Sequence, residues 1–134
     1  EIIKKNIVER MKKKWNIEKE ATKFEMYNLY GKENGKNIIV SWGSTKGAII
    51  DAVNGLDVCF LQIKYLEPFP KEIKKYLENK NVMLIENNAT APLGDLIREK
   101  TGILIEDRNK ILRFDGRPFF ADELRKEIQG RLGK

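Results

Sequence analysis

The residues Gly43–Gly47 (GSTKG, hereafter the glycine turn) could bind an anion. They follow the strand-like run NIIVSW and begin the run STKGAIIDAV, whose apolar residues share one helix face. A helix N-terminus at the end of a strand offers free N–H donors, Lys46 would add positive charge, and Ser44 or Thr45 could cap the helix or meet the anion. The phosphate-loop and dinucleotide-binding patterns are both absent. The residues alone favour the alternative of a capped turn, with Gly43 giving backbone freedom and Gly47 packing closely on the sheet.

Two other loops carry polar side chains that could also bind a ligand. Asn87 and Asn88 (hereafter the asparagine loop) follow the apolar run NVMLIE and would meet the glycine turn if both strands are parallel. Arg117, within FDGRPFF, could hold a carboxylate or phosphate through two parallel hydrogen bonds. Each has a structural alternative, because asparagines commonly bond their own loop and arginine can pair with an acid of its own fold or of a partner. The ligand-binding candidates are Gly43, Ser44, Thr45, Lys46, Asn87, Asn88 and Arg117.

The composition disfavours a free-standing enzyme. The chain has no histidine and one cysteine, Cys59, so it lacks the commonest general base and the usual pairings of nucleophilic catalysis. It also lacks the ligands for an iron–sulfur cluster or a usual structural zinc site. We therefore expect no catalytic residue, no metal ligand and no cofactor bound by this chain alone.

Charge and hydropathy limit the classes of partner. The net charge is +6 over 134 residues, and residues 1–23 contribute +4 of it through eight basic and four acidic side chains. Such charge attracts nucleic acid, but no aromatic residues alternate with it as base stacking requires, which favours a solvated helix face. No run approaches the roughly 20 apolar residues of a bilayer span. A lone cysteine in an apolar run is typical of a reducing compartment, so we expect a cytoplasmic protein that binds no membrane.

Apolar spacing divides the chain into a helical arm and an α/β domain. Ile3, Ile7, Met11 and Trp15 recur every four positions, which predicts a helix of about four turns within an arm and connector spanning residues 1–36. Residues 37–134 alternate strands with helices, which predicts a three-layer α/β domain with a mainly parallel sheet. The predicted strands are NIIVSW, DVCFLQI, NVMLIE, ILIE and KILRF, the last two forming a hairpin.

Four motifs stand in an order that resembles a known family. They are WGSTKGAIIDAV, LEPFP, ENNATAPLGDLI and DGRPF followed by a helix. Together they resemble the transketolase C-terminal-like domain of the alpha subunit of 2-oxoacid:ferredoxin oxidoreductases, over about residues 9–130. The segment ERMKKKW is similar to the basic helix that enters this domain from a pyrimidine-binding domain. The resemblance implies a three-layer α/β/α fold around a mixed, mostly parallel five-stranded sheet.

The resemblance also implies a setting within a larger enzyme. Members of the family oxidatively decarboxylate 2-oxoacids to acyl-CoA, using thiamine diphosphate and Mg²⁺, and pass electrons through iron–sulfur clusters to ferredoxin. Those cofactors are expected elsewhere in the complex, with the thiamine-binding beta subunit and the pyrimidine-binding domain as partners. In this sequence Asn87–Asn88 precedes Asp115–Gly116, which reverses the thiamine diphosphate motif. Ala91–Pro92 also replaces a glycine–glutamine pair that the family often has.

Two functional hypotheses follow from these residues. The first is a structural domain or split subunit of a hetero-oligomeric 2-oxoacid:ferredoxin oxidoreductase, which is inactive alone and meets ferredoxin only indirectly. The second is an independent module that binds an anion or a nucleotide such as CoA, through the glycine turn and Arg117.

Overall fold

The computed structural model describes residues 1–132, in which helices and strands alternate after an N-terminal helix. The elements are α1 (Ile2–Ala21), β1 (Tyr27–Gly31), β2 (Asn37–Trp42), α2 (Lys46–Val53), β3 (Cys59–Ile63), α3 (Lys74–Leu77), β4 (Asn81–Glu86), α4 (Pro92–Thr101), β5 (Lys110–Leu112) and α5 (Ala121–Gln129). Short 3-10 turns lie at Gly43–Thr45, Lys71–Ile73 and Asp107–Asn109, immediately before α2, α3 and β5.

The five strands form one mixed sheet in the order β1-β3-β2-β4-β5. The four strands from β3 to β5 are parallel, and Val40 of β2 lies between Leu61 of β3 and Leu84 of β4. β1 runs antiparallel to β3 at one edge of the sheet. The predicted mixed, mostly parallel sheet of five strands is therefore confirmed.

One of the five strands is not the one that the sequence pattern indicated. The predicted hairpin of ILIE and KILRF is wrong, because residues 103–106 form no strand and β5 pairs in parallel with β4. Ile105 is nevertheless buried in the core, so its apolar character reflects packing and not strand pairing. The additional strand is β1, which lies within the segment assigned to the arm and connector. Its residues are only half-buried or exposed, so it lacks the continuous apolar run that marks a central strand.

Helices cover both faces of the sheet and complete three layers. Side chains alternate between the two faces along each strand, so each face supplies its own core. One core joins strand residues to α3 and α4, and its central members are Ile38, Val40, Leu61, Leu84, Leu77, Leu93 and Ile97. The other joins them to α2 and α5, and its central members are Ile39, Phe60, Met83, Ile85, Ile49, Leu124 and Ile128. The α/β/α architecture expected from the sequence is confirmed.

α1 stands apart from these layers. It is 20 residues long, roughly 30 Å, and so exceeds the predicted four turns. Ala21, its last residue, is its only buried one. In its C-terminal half, Lys14 Nζ lies 4.0 Å from Glu67 Oε1 of the body. None of the helices in residues 1–132 is both long enough and apolar enough to cross a bilayer.

Candidate functional site

The loops that carry the predicted site residues emerge side by side at the carboxyl edge of the sheet. Trp42, Glu86 and Leu112 are the last residues of β2, β4 and β5, which are neighbouring parallel strands. The glycine turn and the asparagine loop are consequently adjacent, as the sequence analysis expected of parallel strands. The loop that contains Arg117 follows β5 along the same edge.

A buried carboxylate, that of Glu86, connects the end of β2 to the asparagine loop and the start of α4. Only 1% of Glu86 is exposed. Its Oε1 accepts hydrogen bonds from Trp42 Nε1 and Asn88 Nδ2, each at 3.2 Å, and its Oε2 accepts one from the Leu93 backbone N–H at 3.1 Å. Leu93 lies in the first turn of α4, where free N–H groups favour an anion. The chain's own carboxylate therefore occupies the anion-binding position at the start of α4.

Sequence reasoning placed Glu86 at the end of the predicted strand NVMLIE but missed its role. The available signal was its position as the last residue of NVMLIE, a run that is otherwise apolar after its first asparagine. Asn88 bonds to the Glu86 side chain and not to its own backbone, whereas Asn87 is exposed. The asparagine loop thus contributes one side chain to an internal network and one to the surface.

The two hydroxyl side chains of the glycine turn point to different places: that of Thr45 into the protein and that of Ser44 to solvent. Thr45 is buried, with its Oγ1 2.6 Å from Ser41 Oγ and 3.0 Å from the Trp42 carbonyl oxygen, and Ser41 Oγ lies 2.6 Å from the Ile85 carbonyl oxygen. Neither Ser44 nor Thr45 makes a side-chain capping bond to α2. The predicted cap is therefore wrong, because the Thr45 hydroxyl is used to join β2 to the turn. Ser44 is exposed and faces solvent.

The two glycines of the turn differ in backbone conformation and surroundings. Gly43 has φ = +69°, a conformation that favours glycine, so the predicted need for backbone freedom is confirmed. A Cβ at Gly47 would meet no atom within 4 Å. The prediction that Gly47 permits close packing on the sheet is thus wrong, and the N-terminal turn of α2 is open there.

Lys46 adjoins a polar cluster that the sequence analysis did not identify. Its Nζ lies 5.2 Å from the centroid of the Tyr30 ring, and its ammonium lowers the pKa of the Tyr30 phenol. The Tyr30 hydroxyl accepts a hydrogen bond from Asn28 Nδ2 and donates one to Gln62 Oε1, each at 3.2 Å. Two residues of this cluster lie on β1, and their alternation along an edge strand was the signal that could have found them.

Arg117 is paired within its own loop. Its Nε and Nη2 donate to Asp115 Oδ2 at 2.9 Å and 2.6 Å, and its backbone N–H donates to Oδ1 at 3.1 Å. This guanidinium holds the pKa of Asp115 below its ordinary value. No hydrogen bond among residues 1–132 joins Arg117 to the glycine turn or the asparagine loop. The structure thus supports the ion-pair alternative for Arg117.

The acidic residues do not converge in a metal site. Across the described chain, no three His, Cys, Asp or Glu side chains are arranged to hold a metal ion. Cys59 is buried in β3, and burial raises the pKa of its thiol. The donor set of the described residues thus does not fit an iron–sulfur cluster, which needs several cysteine thiolates.

Comparison with known proteins gives the same family from sequence and from structure. No family model matches the chain. The chain is 34% identical over 132 residues to the 2-oxoacid:ferredoxin oxidoreductase subunit alpha of Saccharolobus solfataricus, with 93% of this chain and 21% of the relative covered. The subunit alpha of 2-oxoacid:ferredoxin oxidoreductase 1 from Sulfurisphaera tokodaii is also 34% identical, with 89% and 19% covered. The chain spans about a fifth of the length of these relatives.

Two solved structures resemble the fold. A 2-oxoglutarate:ferredoxin oxidoreductase from Magnetococcus marinus, solved with 2-oxoglutarate, coenzyme A and succinyl-CoA bound, matches with a TM-score of 0.70 and 25% identity over 81% of this chain and 20% of that chain. The alpha chain of a probable 2-oxoacid ferredoxin oxidoreductase from Thermoplasma acidophilum matches with a TM-score of 0.57 and 35% identity, over 83% of this chain and 100% of that chain. This chain therefore belongs to the family of 2-oxoacid:ferredoxin oxidoreductase alpha subunits.

Proposed function

We propose that the chain is a structural and assembly domain, or a split subunit, of a 2-oxoacid:ferredoxin oxidoreductase. The complete enzyme would oxidatively decarboxylate a 2-oxoacid to acyl-CoA and reduce ferredoxin. The chain alone would be inactive. In this proposal residues 1–36 are the arm and connector, and residues 37–134 are the α/β domain that the connector joins through β1.

The observation that carries the proposal is that two charged groups of the carboxyl edge, those of Glu86 and Arg117, are already engaged within the chain. Glu86 accepts three hydrogen bonds, and Arg117 is paired with Asp115. Large apolar side chains are exposed at the same edge, namely Trp42 at 38%, Phe114 at 71% and Phe120 at 48%. Aromatic residues are enriched in protein–protein interfaces, so these exposed side chains favour a surface that packs against another protein.

The proposal assigns the cofactors to other polypeptides. Thiamine diphosphate and Mg²⁺ would be held by the beta subunit and the pyrimidine-binding domain, and iron–sulfur clusters would carry the electrons to ferredoxin. What supports this division is the composition of the chain, which has no histidine and a single cysteine. We place the hetero-oligomer in the cytoplasm, in keeping with a single buried free cysteine.

Reconstitution tests this function. The rest of the oxidoreductase from the same source is expressed without residues 1–134 and assayed for viologen reduction with 2-oxoacid and CoA, before and after the folded chain is added. We expect the chain alone to show no reduction, and its addition to restore assembly and activity. Reduction by the chain alone, or failure to co-purify with a thiamine-binding polypeptide, would contradict the proposal.

One observation favours a second candidate, an anion or CoA site at the glycine turn. Lys46 forms no ion pair within residues 1–132, and Gly47 faces open space next to it. Calorimetric titration with CoA, ADP and inorganic phosphate tests this candidate. Micromolar binding that Lys46→Ala abolishes would support it, provided that Lys36→Ala, the same change at the opposite end of β2, leaves binding intact. Absence of heat with all three probes would dismiss it.

A further inference from the structure

Five of the apolar residues of α1 form an exposed stripe, whereas Ile2 and Ile17 lie outside it. With about 100° between successive residues of a helix, Ile3, Ile7, Val8, Met11 and Trp15 share a sector about 140° wide, hereafter the apolar stripe. Their exposed fractions run from 41% for Met11 to 76% for Ile3. Helices of this length depend mainly on packing of their apolar face for stability in water. The apolar stripe therefore requires a surface to pack against.

We propose that the apolar stripe docks into an apolar groove on another polypeptide of the oxidoreductase, and that carboxylates border this groove. This proposal rests on the function proposed above. The positive charge of α1 indicates that the residues bordering that groove are negatively charged. α1 has seven basic and three acidic side chains, a net charge of +4. Carboxylates beside the groove would attract this helix and orient it, which is the arrangement found in complementary interfaces.

The same charge opposes docking of two copies of this chain through α1. Such a dimer would bring two helices of +4 together, in chains that each carry +6. Like charges across an interface cost free energy and select against the wrong partner. The partner that binds the apolar stripe is therefore a different polypeptide, and its binding surface is negatively charged.

The position of α1 on the body favours a polypeptide over a lipid surface. Lys14 and Glu18 lie in the same sector of the helix as the apolar stripe. Together with Phe69 of the body they line a crevice of about 660 Å³, and Lys14 also approaches Glu67. The stripe thus faces the angle between the helix and the body. A flat bilayer laid along the stripe would collide with the body, whereas a protein segment can enter the angle.

The alpha subunits of the relatives are much longer than this chain, which spans about a fifth of their length. The Saccharolobus solfataricus match covers 93% of this chain, which leaves 7% of 134 residues, about nine, outside it. Since α1 has 20 residues, at least half of it has a counterpart in that alpha subunit, of which the chain spans 21%. In a split subunit the remaining four fifths of the alpha subunit would be a separate polypeptide, and that polypeptide can supply the groove.

Calorimetry with a matched pair of variants tests the proposal. The probe is the rest of the same oxidoreductase, expressed without residues 1–134 and titrated with the complete chain. We expect Ile7→Ala to weaken binding at least tenfold, because a buried isoleucine side chain contributes about that much. Asn16→Ala, on the opposite side of α1, should change the affinity by less than about twofold. Both variants introduce alanine, so both preserve the helix.

The occupant is identified by photo-crosslinking from position 7. With p-benzoylphenylalanine at that position, we expect one cross-linked peptide from the rest of the enzyme, containing apolar residues and Asp or Glu. A cross-link to a second copy of this chain would overturn the proposal. Binding to phosphatidylserine vesicles or to a 20-nucleotide RNA that Ile7→Ala weakens, with no cross-link to the enzyme, would also overturn it.

The two proposals fail in different ways. If the wild-type chain does not bind the rest of the enzyme, the assembly function fails together with the docking proposal. If the wild-type chain binds and Ile7→Ala binds equally well, the docking proposal alone is wrong. Binding should also weaken as ionic strength rises, since salt screens the attraction between α1 and a carboxylate border.

Discussion

Replacement of Glu86 by glutamine tests the internal anion site at the start of α4. Glutamine has the same shape but replaces one carboxylate oxygen with an NH₂ group, so at least one donor loses its acceptor: the Leu93 N–H if Oε2 is replaced, or both Trp42 and Asn88 if Oε1 is replaced. Loss of a hydrogen bond to a charged group costs about 1.5–3 kcal/mol. Loss of the negative charge at a helix N-terminus costs a further ~0.3–1 kcal/mol. We expect Glu86→Gln to lower the free energy of unfolding by about 2–3 kcal/mol, since neutralisation also relieves part of the cost of burying a charge.

Urea unfolding and thermal unfolding measure this change. For a domain of this size each kcal/mol shifts Tm by about 4 °C, so Tm should fall by roughly 8–12 °C. Glu78→Gln is the matched control, because Glu78 is exposed and its Oε1 lies 3.5 Å from Lys74 Nζ in a surface ion pair. That control should cost less than about 0.5 kcal/mol. If Glu86→Gln costs no more than the control, the carboxylate does not have the role described.

Tryptophan fluorescence gives an independent readout of the same network. The chain has two tryptophans, Trp15 and Trp42, so Trp42 is the sole emitter in a Trp15→Phe background. Its indole N–H donates to Glu86 Oε1 at 3.2 Å. We expect Glu86→Gln to change the Trp42 emission under native conditions. An unchanged spectrum together with an unchanged Tm would refute the reasoning.

The remaining predictions concern packing and ionisation. Gly94→Ala should destabilise the fold by about 1–3 kcal/mol, because the new Cβ would lie 2.9 Å from the Leu84 side chain of β4. Gly47→Ala should instead stabilise α2 by about 0.5–1 kcal/mol, because the new Cβ would meet open space. Equal effects of the two changes in urea unfolding would contradict this contrast. Burial raises the pKa of the Cys59 thiol, so a thiol reagent at pH 8 should label it only after unfolding, and rapid native labelling would disprove its burial. In an alkaline absorbance titration, Tyr30→Phe should remove the lowest phenol step and Tyr27→Phe the highest, because Lys46 lowers the pKa of Tyr30 and burial raises that of Tyr27 to about 12. The contribution of Tyr30 to stability should consequently be fully present above the ordinary tyrosine pKa of about 10 and be lost as pH falls through its lowered pKa. The contribution of Tyr27 is present below about 10 and is lost as pH rises through about 12; the reverse order of steps would refute the assignment.

The sequence by itself determined the central strands and the helix that ends at a glycine. β2, β3 and β4 are buried apolar runs, and such runs mark strands covered on both faces whatever their neighbours are. Gly102 ends α4 with φ = +78°, as a glycine after the last apolar turn predicts. The order of four motifs was sufficient for the family. All these signals are local or depend only on order along the chain.

The tertiary structure alone decided which polar groups of the candidate site are already engaged. Trp42 and Glu86 are 44 positions apart, as are Ser41 and Ile85, and they meet because β2 lies beside β4. Tyr30 meets Gln62 across 32 positions because β1 is an edge strand that pairs with β3. A residue's type and local pattern are the same whether its partner is another side chain, a ligand or water. Only the strand order determines which polar groups lie within hydrogen-bonding distance, so only the fold could show that Glu86 and not an external anion occupies the start of α4.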